Sequence, residues 1–233
     1  MRLYDKALVA RIREKEYIKS VDGVDILFKP VPDDDRAHII DSRLLKIIKK
    51  KRNLFSARAK SGYGLANERY RPDKITYDLT ETEVSCEERL IPIGGDHRID
   101  IFIYRPETKK APLPVLVYLH GGGFTAGDMR LYANQMKFIS EQAEALVVFP
   151  EYRLAPECPY PDAIEDACGT VRWIYDHAEQ FGIDKNRFAV AGDSAGGSLT
   201  NACVLKDEGG IIKKIIELYP SMDMSDYRTL PNY

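Results

Sequence analysis

Gly192-Asp193-Ser194-Ala195-Gly196 follows the apolar run Phe188 to Ala191 and opens a segment that reads as helix. Glycines on either side of a serine suit a sharp strand-to-helix turn: they let neighbouring backbone pass closely, and the hydroxyl is held out at the edge of the sheet. Ser194 is therefore read as a nucleophile. Upstream, His120-Gly121-Gly122-Gly123-Phe124 comes directly after Val115-Leu116-Val117-Tyr118-Leu119. Backbone N–H groups of such a glycine run can turn toward developing negative charge, and a further donor is expected from the Ala195 amide.

Between the two motifs stands Glu151-Tyr152-Arg153-Leu154-Ala155-Pro156-Glu157, after the strand-like Ala145 to Phe149. HGGGF, YRLAPE and GDSAGG in that order resemble the hormone-sensitive-lipase-like branch of the α/β-hydrolase esterases, from about Asp73 onward. The resemblance implies a serine carboxylic-ester hydrolase. Ser194 attacks an ester carbonyl, Gly121, Gly122, Gly123 and Ala195 form the oxyanion hole, and water later releases the acid. It makes His120 and Asp193 supporting residues, with His120 bracing the glycine loop. The expected substrates are small, short-acyl esters.

A serine hydroxyl is a weak nucleophile near neutral pH, so a histidine must accept its proton and an acid must orient that histidine. In this fold the order along the chain is serine, acid, histidine. All four histidines, His38, His97, His120 and His177, precede Ser194. Asp207, Asp223 and Asp226 come before the region where the family's acid lies. The triad is read as incomplete, with the C-terminal strands, the last helix, the acid and the histidine absent from this chain. Two accounts stay open: a piece of a longer esterase, which is favoured, or a chain that has lost hydrolysis and serves as a small-ligand-binding protein on the same fold. Peptidase activity is a third, weaker alternative.

The elements that must position these residues divide the chain at about residue 72. Residues 1 to 72 read as a charge-rich helical segment, which the resemblance makes a cap over the acyl pocket. Within it, Ile40, Leu44, Ile47 and Ile48 fall at helical spacing across Ala37 to Phe55. Lys49 to Arg52 read as a solvated face at the helix's C-terminal end, where the dipole favours positive charge.

Residues 73 to 233 alternate strands with helices and form the α/β core. Arg98 to Tyr104 alternates like a half-buried antiparallel strand. Val115 to Leu119, Ala145 to Phe149, Phe188 to Ala191 and Ile211 to Leu218 are near-continuous apolar runs, expected where both faces of a strand are covered. Helices are expected near Leu131 to Glu144, Asp162 to Phe181 and Ser194 to Lys206. The fold class is thus an α/β hydrolase with a mostly parallel, doubly covered sheet, and both glycine-rich motifs lie at the strands' C-terminal edge. An uncovered Ile211 to Leu218 strand would invite pairing, so the expectation is a chain that is poorly soluble or that buries that edge in a homo-oligomer.

The 233 residues carry 34 Lys and Arg against 36 Asp and Glu, a net charge of −2, which gives no global field for nucleic acid or an anionic membrane. No apolar run approaches the roughly 20 residues of a membrane span, and the charged start lacks a secretory pattern, so the chain is read as cytoplasmic. Cys86, Cys158, Cys168 and Cys203 are widely spaced with no metal pattern; they are read as reduced, mostly buried thiols. No metal or cofactor is expected.

Overall fold

The computed structural model describes residues 5–34, 36, 40–49, 64–69, 75–108 and 110–222. His38, Lys50 to Arg52, Asp223 and Asp226 lie outside the described residues. The chain forms two compact units, Met1–Tyr63 and Gly64–Tyr233.

The first unit contains α1 (Lys6–Glu14), β1 (Tyr17–Val21), β2 (Val24–Phe28) and a helix over 42–49, here α2. Asp5 caps α1 by accepting the Leu8 amide at 2.9 Å, which satisfies a donor that the first helical turn leaves open. The β1–β2 hairpin corrects the expectation of a wholly helical segment. Its turn is Asp22-Gly23, with φ of 51° and 80°. Positive φ at both central residues is the twist that a two-residue hairpin demands, and Asp-Gly supplies it at low cost.

The second unit is built on a six-stranded sheet ordered β3-β4-β6-β5-β7-β8. Its strands are β3 (Val84–Gly94), β4 (His97–Pro106), β5 (Leu113–Leu119), β6 (Leu146–Pro150), β7 (Ile183–Asp193) and β8 (Lys214–Leu218). The β3–β4 and β4–β6 pairs are antiparallel, whereas β6, β5, β7 and β8 run parallel. Short α3 (Leu65–Arg69) precedes the sheet, and α4 (Met129–Ala143), α5 (Asp162–Asp176), α6 (Ala178–Phe181) and α7 (Ala195–Leu205) connect its strands.

Alternation along each strand sends side chains into two cores. Val115, Val117 and Leu119 of β5 join Ala167, Val171 and Ile174 of α5 and Leu199 and Cys203 of α7. Leu116 and Tyr118 point the other way and join Met136 of α4. Two apolar faces explain why the parallel strands read as unbroken hydrophobic runs. The same layering corrects the half-buried reading of β4, because α4 also covers Phe102 and Tyr104, which are 9% and 1% exposed.

At the far side β8 pairs only with β7 among the described residues and leaves Ile215, Ile216 and Leu218 exposed. Of the four cysteines, all reduced, only Cys203 is fully buried and Cys86 is exposed. No described helix is long and apolar enough to cross a membrane.

Candidate active site

The parallel β5–β7 pairing sets Leu119 opposite Gly192, so the segments that leave these two strands emerge side by side. One is the His120 to Gly127 loop and the other is the turn into α7.

Ser194 sits at that second turn with φ 51° and ψ −118°, left-handed backbone that is costly for a residue bearing a Cβ. The surroundings impose it. Gly196 lies so close to β5 that a Cβ there would stand 1.9 Å from the Leu119 carbonyl oxygen. The Ser194 amide donates to the Leu218 oxygen at 2.8 Å, which anchors the turn to β8. The Ser194 side chain is partly exposed, and among the described residues nothing hydrogen-bonds its hydroxyl.

Asp193 couples the turn to the glycine loop. Its Oδ1 accepts the Gly121 amide at 2.9 Å and the Tyr118 hydroxyl at 3.1 Å, and its Oδ2 accepts the Tyr132 hydroxyl at 3.1 Å. Burial is the main reason both tyrosines are pushed well above the ordinary phenol range, and the adjacent Asp193 charge adds to it. Because the Gly121 amide is committed to Asp193, Gly121 is not available as an oxyanion donor. Its place in the expected hole is corrected to that of a loop anchor.

Beyond Gly121 the loop turns back on itself. Gly122, Gly123 and Phe124 have φ of 141°, 64° and 61°, and the Thr125 and Ala126 amides donate to the Gly122 oxygen at 3.2 and 3.1 Å. A Cβ on Gly122 would stand 1.9 Å from the Ala126 oxygen. The amides of Gly122, Gly123 and Ala195 have no acceptor among the described residues. Ala195 opens α7, so its amide is one of the donors a helix start leaves unpaired.

His120 is fully buried behind this loop. Its ring stacks on Tyr152 at 4.2 Å and on Phe149 at 5.4 Å. Nδ1 lies 3.0 Å from the Gly121 oxygen, which assigns the ring proton there, and the Tyr152 hydroxyl donates to the His120 carbonyl at 2.6 Å. Burial pulls its pKa down to about 4, so the ring is neutral near pH 7.

The other described histidines are also engaged elsewhere. His97 Nε2 is 3.1 Å from Asp166 Oδ1, and His177 Nδ1 donates to the Trp173 oxygen at 2.8 Å. Asp166 is shared with Arg153, which also reaches Asp162 at 3.0 Å. None of these histidines or carboxylates bonds to Ser194, and the described residues hold no cluster suited to a metal ion.

The structure thus brings together Ser194, Asp193, Gly121, Gly122, Gly123, Ala195 and His120. Tyr118 and Tyr132, through Asp193, and Arg69, whose Nε donates to the Thr125 oxygen at 2.7 Å, also hold this site, and sequence reasoning did not find them. Tyr118 reads as one more member of an apolar run, and nothing local marks Tyr132 or Arg69.

Residues 116–232 match the family described as alpha/beta hydrolase fold. The chain belongs to that family. As an α/β hydrolase it is 38% identical over 154 residues to carboxylesterase NlhH of Mycobacterium tuberculosis, covering 65% of this chain and 48% of that protein. It is 33% identical over 133 residues to human hormone-sensitive lipase, covering 57% and 12%. The solved structure of the thermophilic carboxylesterase EstE1 superposes on this α/β hydrolase with a TM-score of 0.61 at 32% identity, covering 70% of this chain and 54% of that one. The chain spans about half the length of the curated relatives it first matches.

Proposed function

We propose that this chain carries the nucleophile and oxyanion-binding half of a serine carboxylic-ester hydrolase for small, short-acyl esters. The observation that carries the reading is Ser194 itself, a non-glycine residue held at φ 51° where β7 meets α7. Backbone strain of this kind persists only where surrounding structure over-determines it, and it concentrates at reacting groups. The esterase names of the relatives support the same reading.

Ser194 Oγ adds to the ester carbonyl, and the carbonyl oxygen gains negative charge. Gly122, Gly123 and Ala195 are the amides left open for that charge, since Gly121 is taken by Asp193. Donors already aimed at a developing oxyanion need no reorganisation as the charge forms, and one such donor is worth roughly 100- to 1,000-fold in rate. Collapse of the intermediate expels the alcohol and leaves an acyl-serine. No described histidine is placed to take the Ser194 proton, so it passes to solvent water as the bond to the alcohol oxygen breaks. Acylation by an activated ester, whose leaving group departs as an anion without needing a proton, is therefore the step these residues can perform.

Nitrophenyl acetate tests this directly. The expected result is one acetyl group per chain, mapped to Ser194 by peptide mass and abolished in Ser194→Ala. A chain that stays unacetylated while retaining small apolar esters would overturn the hydrolase reading in favour of a ligand-binding protein.

A further inference from the structure

The glycine loop runs through three consecutive residues with positive φ, Gly122 to Phe124. Such backbone must be held from outside. Two of its carbonyls are restrained by neighbours: the buried His120 Nδ1 bonds the Gly121 oxygen, and the Ala155 amide, in the loop after β6, donates to the Phe124 oxygen at 2.8 Å. The next carbonyl, of Thr125, is held by Arg69 of α3, whose Nε donates to it at 2.7 Å. Arg69 Nη2 donates to the Ala155 oxygen at 3.0 Å, and the guanidinium closes a two-point pair with Glu157, at 2.9 and 2.7 Å.

One planar group thereby joins the glycine loop to the loop after β6 and is itself fixed by a carboxylate. A guanidinium presents its donors in a rigid fork, whereas an ammonium is a single point charge on a flexible stem. Arg69 lies outside residues 116–232, the span matched to the family.

We propose that Arg69 is a positioning residue that fixes the Gly122 and Gly123 amides in their oxyanion-binding arrangement by clamping Thr125 and Ala155 together. The proposal rests on the serine-hydrolase reading for its catalytic consequence and on the clamp alone for its structural one. Small displacements of oxyanion donors cost rate steeply, so losing the clamp slows acylation more than it weakens ester binding.

The experiment compares the parent chain with Arg69→Ala and Arg69→Lys. Hydrogen exchange is followed at the Gly121, Thr125 and Ala126 amides, and single-turnover acetylation of Ser194 by nitrophenyl acetate is followed over a concentration series. Both variants are expected to exchange at least about tenfold faster in the loop, with β5 unchanged. Both are expected to acetylate about 10- to 100-fold more slowly at saturation, with the half-saturating concentration moved less than about twofold.

Recovery of the parent's acetylation rate by Arg69→Lys would show that charge suffices and would overturn the clamp, as would unaltered loop exchange in both variants. If Arg69→Ala loses protection in β5 as well, Arg69→Lys alone decides. If the parent is not acetylated, the hydrolase reading fails by itself and loop exchange decides the clamp.

Discussion

The Gly121 amide donates to Asp193 Oδ1 at 2.9 Å, across 72 residues of sequence. This bond ties the residue before Ser194 to the first glycine of the loop beside it, so the turn that carries Ser194 and the loop that carries the open amides are joined directly. The parallel pairing of Leu119 with Gly192 brings the two turns together. The Asp193 carboxylate then locks them, and its two tyrosine donors satisfy it where water is excluded.

Asp193→Ala removes three acceptor contacts at once; the Gly121 amide keeps the Tyr132 hydroxyl at 3.2 Å, and the buried Tyr118 hydroxyl is left short of a partner. A buried donor stranded in this way costs about 1–3 kcal/mol, and contributions within one network are not additive. A loss of about 1–3 kcal/mol in unfolding free energy is expected from urea denaturation. Adding Tyr118→Phe removes one stranded hydroxyl, so the double variant should be less destabilised than the two single losses together. Simple additivity would show that Asp193 does not hold Tyr118.

Ser194→Gly tests the strain at the turn. At φ 51° and ψ −118° a glycine carries no steric penalty, and strain of this class is worth about 1–3 kcal/mol before the entropy cost of glycine, roughly 0.5–1 kcal/mol, is set against it. Ser194→Gly is expected to be about 1 kcal/mol more stable than the parent, with acetylation by nitrophenyl acetate lost. Ser194→Ala keeps the Cβ and should lose acetylation with no such gain. Equal stability of the Gly and Ala variants would refute stored strain at this position.

Much of this architecture is legible in the residues themselves, and the exceptions have physical causes. Strands β5 and β6 are covered on both faces, so Val115 to Leu119 and Leu146 to Phe149 read as unbroken apolar runs. Strand β3 lies at the sheet's edge and carries Cys86-Glu87-Glu88-Arg89, a polar run that protects an edge from pairing and hides its periodicity. The β1–β2 hairpin has its turn signal in Asp22-Gly23, but both its strands are exposed and neither shows a buried face. In the site, the elbow glycines are legible because their constraint is local, as at Gly196 against Leu119. Tyr132 and Arg69 are not, because they meet Asp193 and Thr125 only through pairing between segments 61 and 56 residues apart.

Glu151 makes a pH-dependent contribution whose sign follows from its burial. It stands just after β6, and Oε1 accepts the Met129 amide at the start of α4, a place that Asp128, the cap residue, does not serve with its own side chain. Burial pushes the Glu151 carboxyl up to about 7 from its ordinary 4.5; the Met129 bond opposes this, and the charge of Asp128 adds to it. The folded chain therefore binds this proton more tightly than the unfolded chain. The stabilisation is complete below about pH 4.5 and is lost as pH rises through about 7. At about 1.4 kcal/mol per pH unit it amounts to about 3 kcal/mol at most.

His120 has the opposite sense: pulled down to about 4 from 6.5, it costs stability as pH falls through that interval. The comparison that isolates Glu151 is Glu151→Gln, which keeps an acceptor for Met129 and leaves His120 untouched. From pH 5 to pH 8 the unfolding free energy of Glu151→Gln should gain on that of the parent by about 2 kcal/mol. A difference that stays constant across this range, measured by urea denaturation, would place the Glu151 titration outside the folding equilibrium.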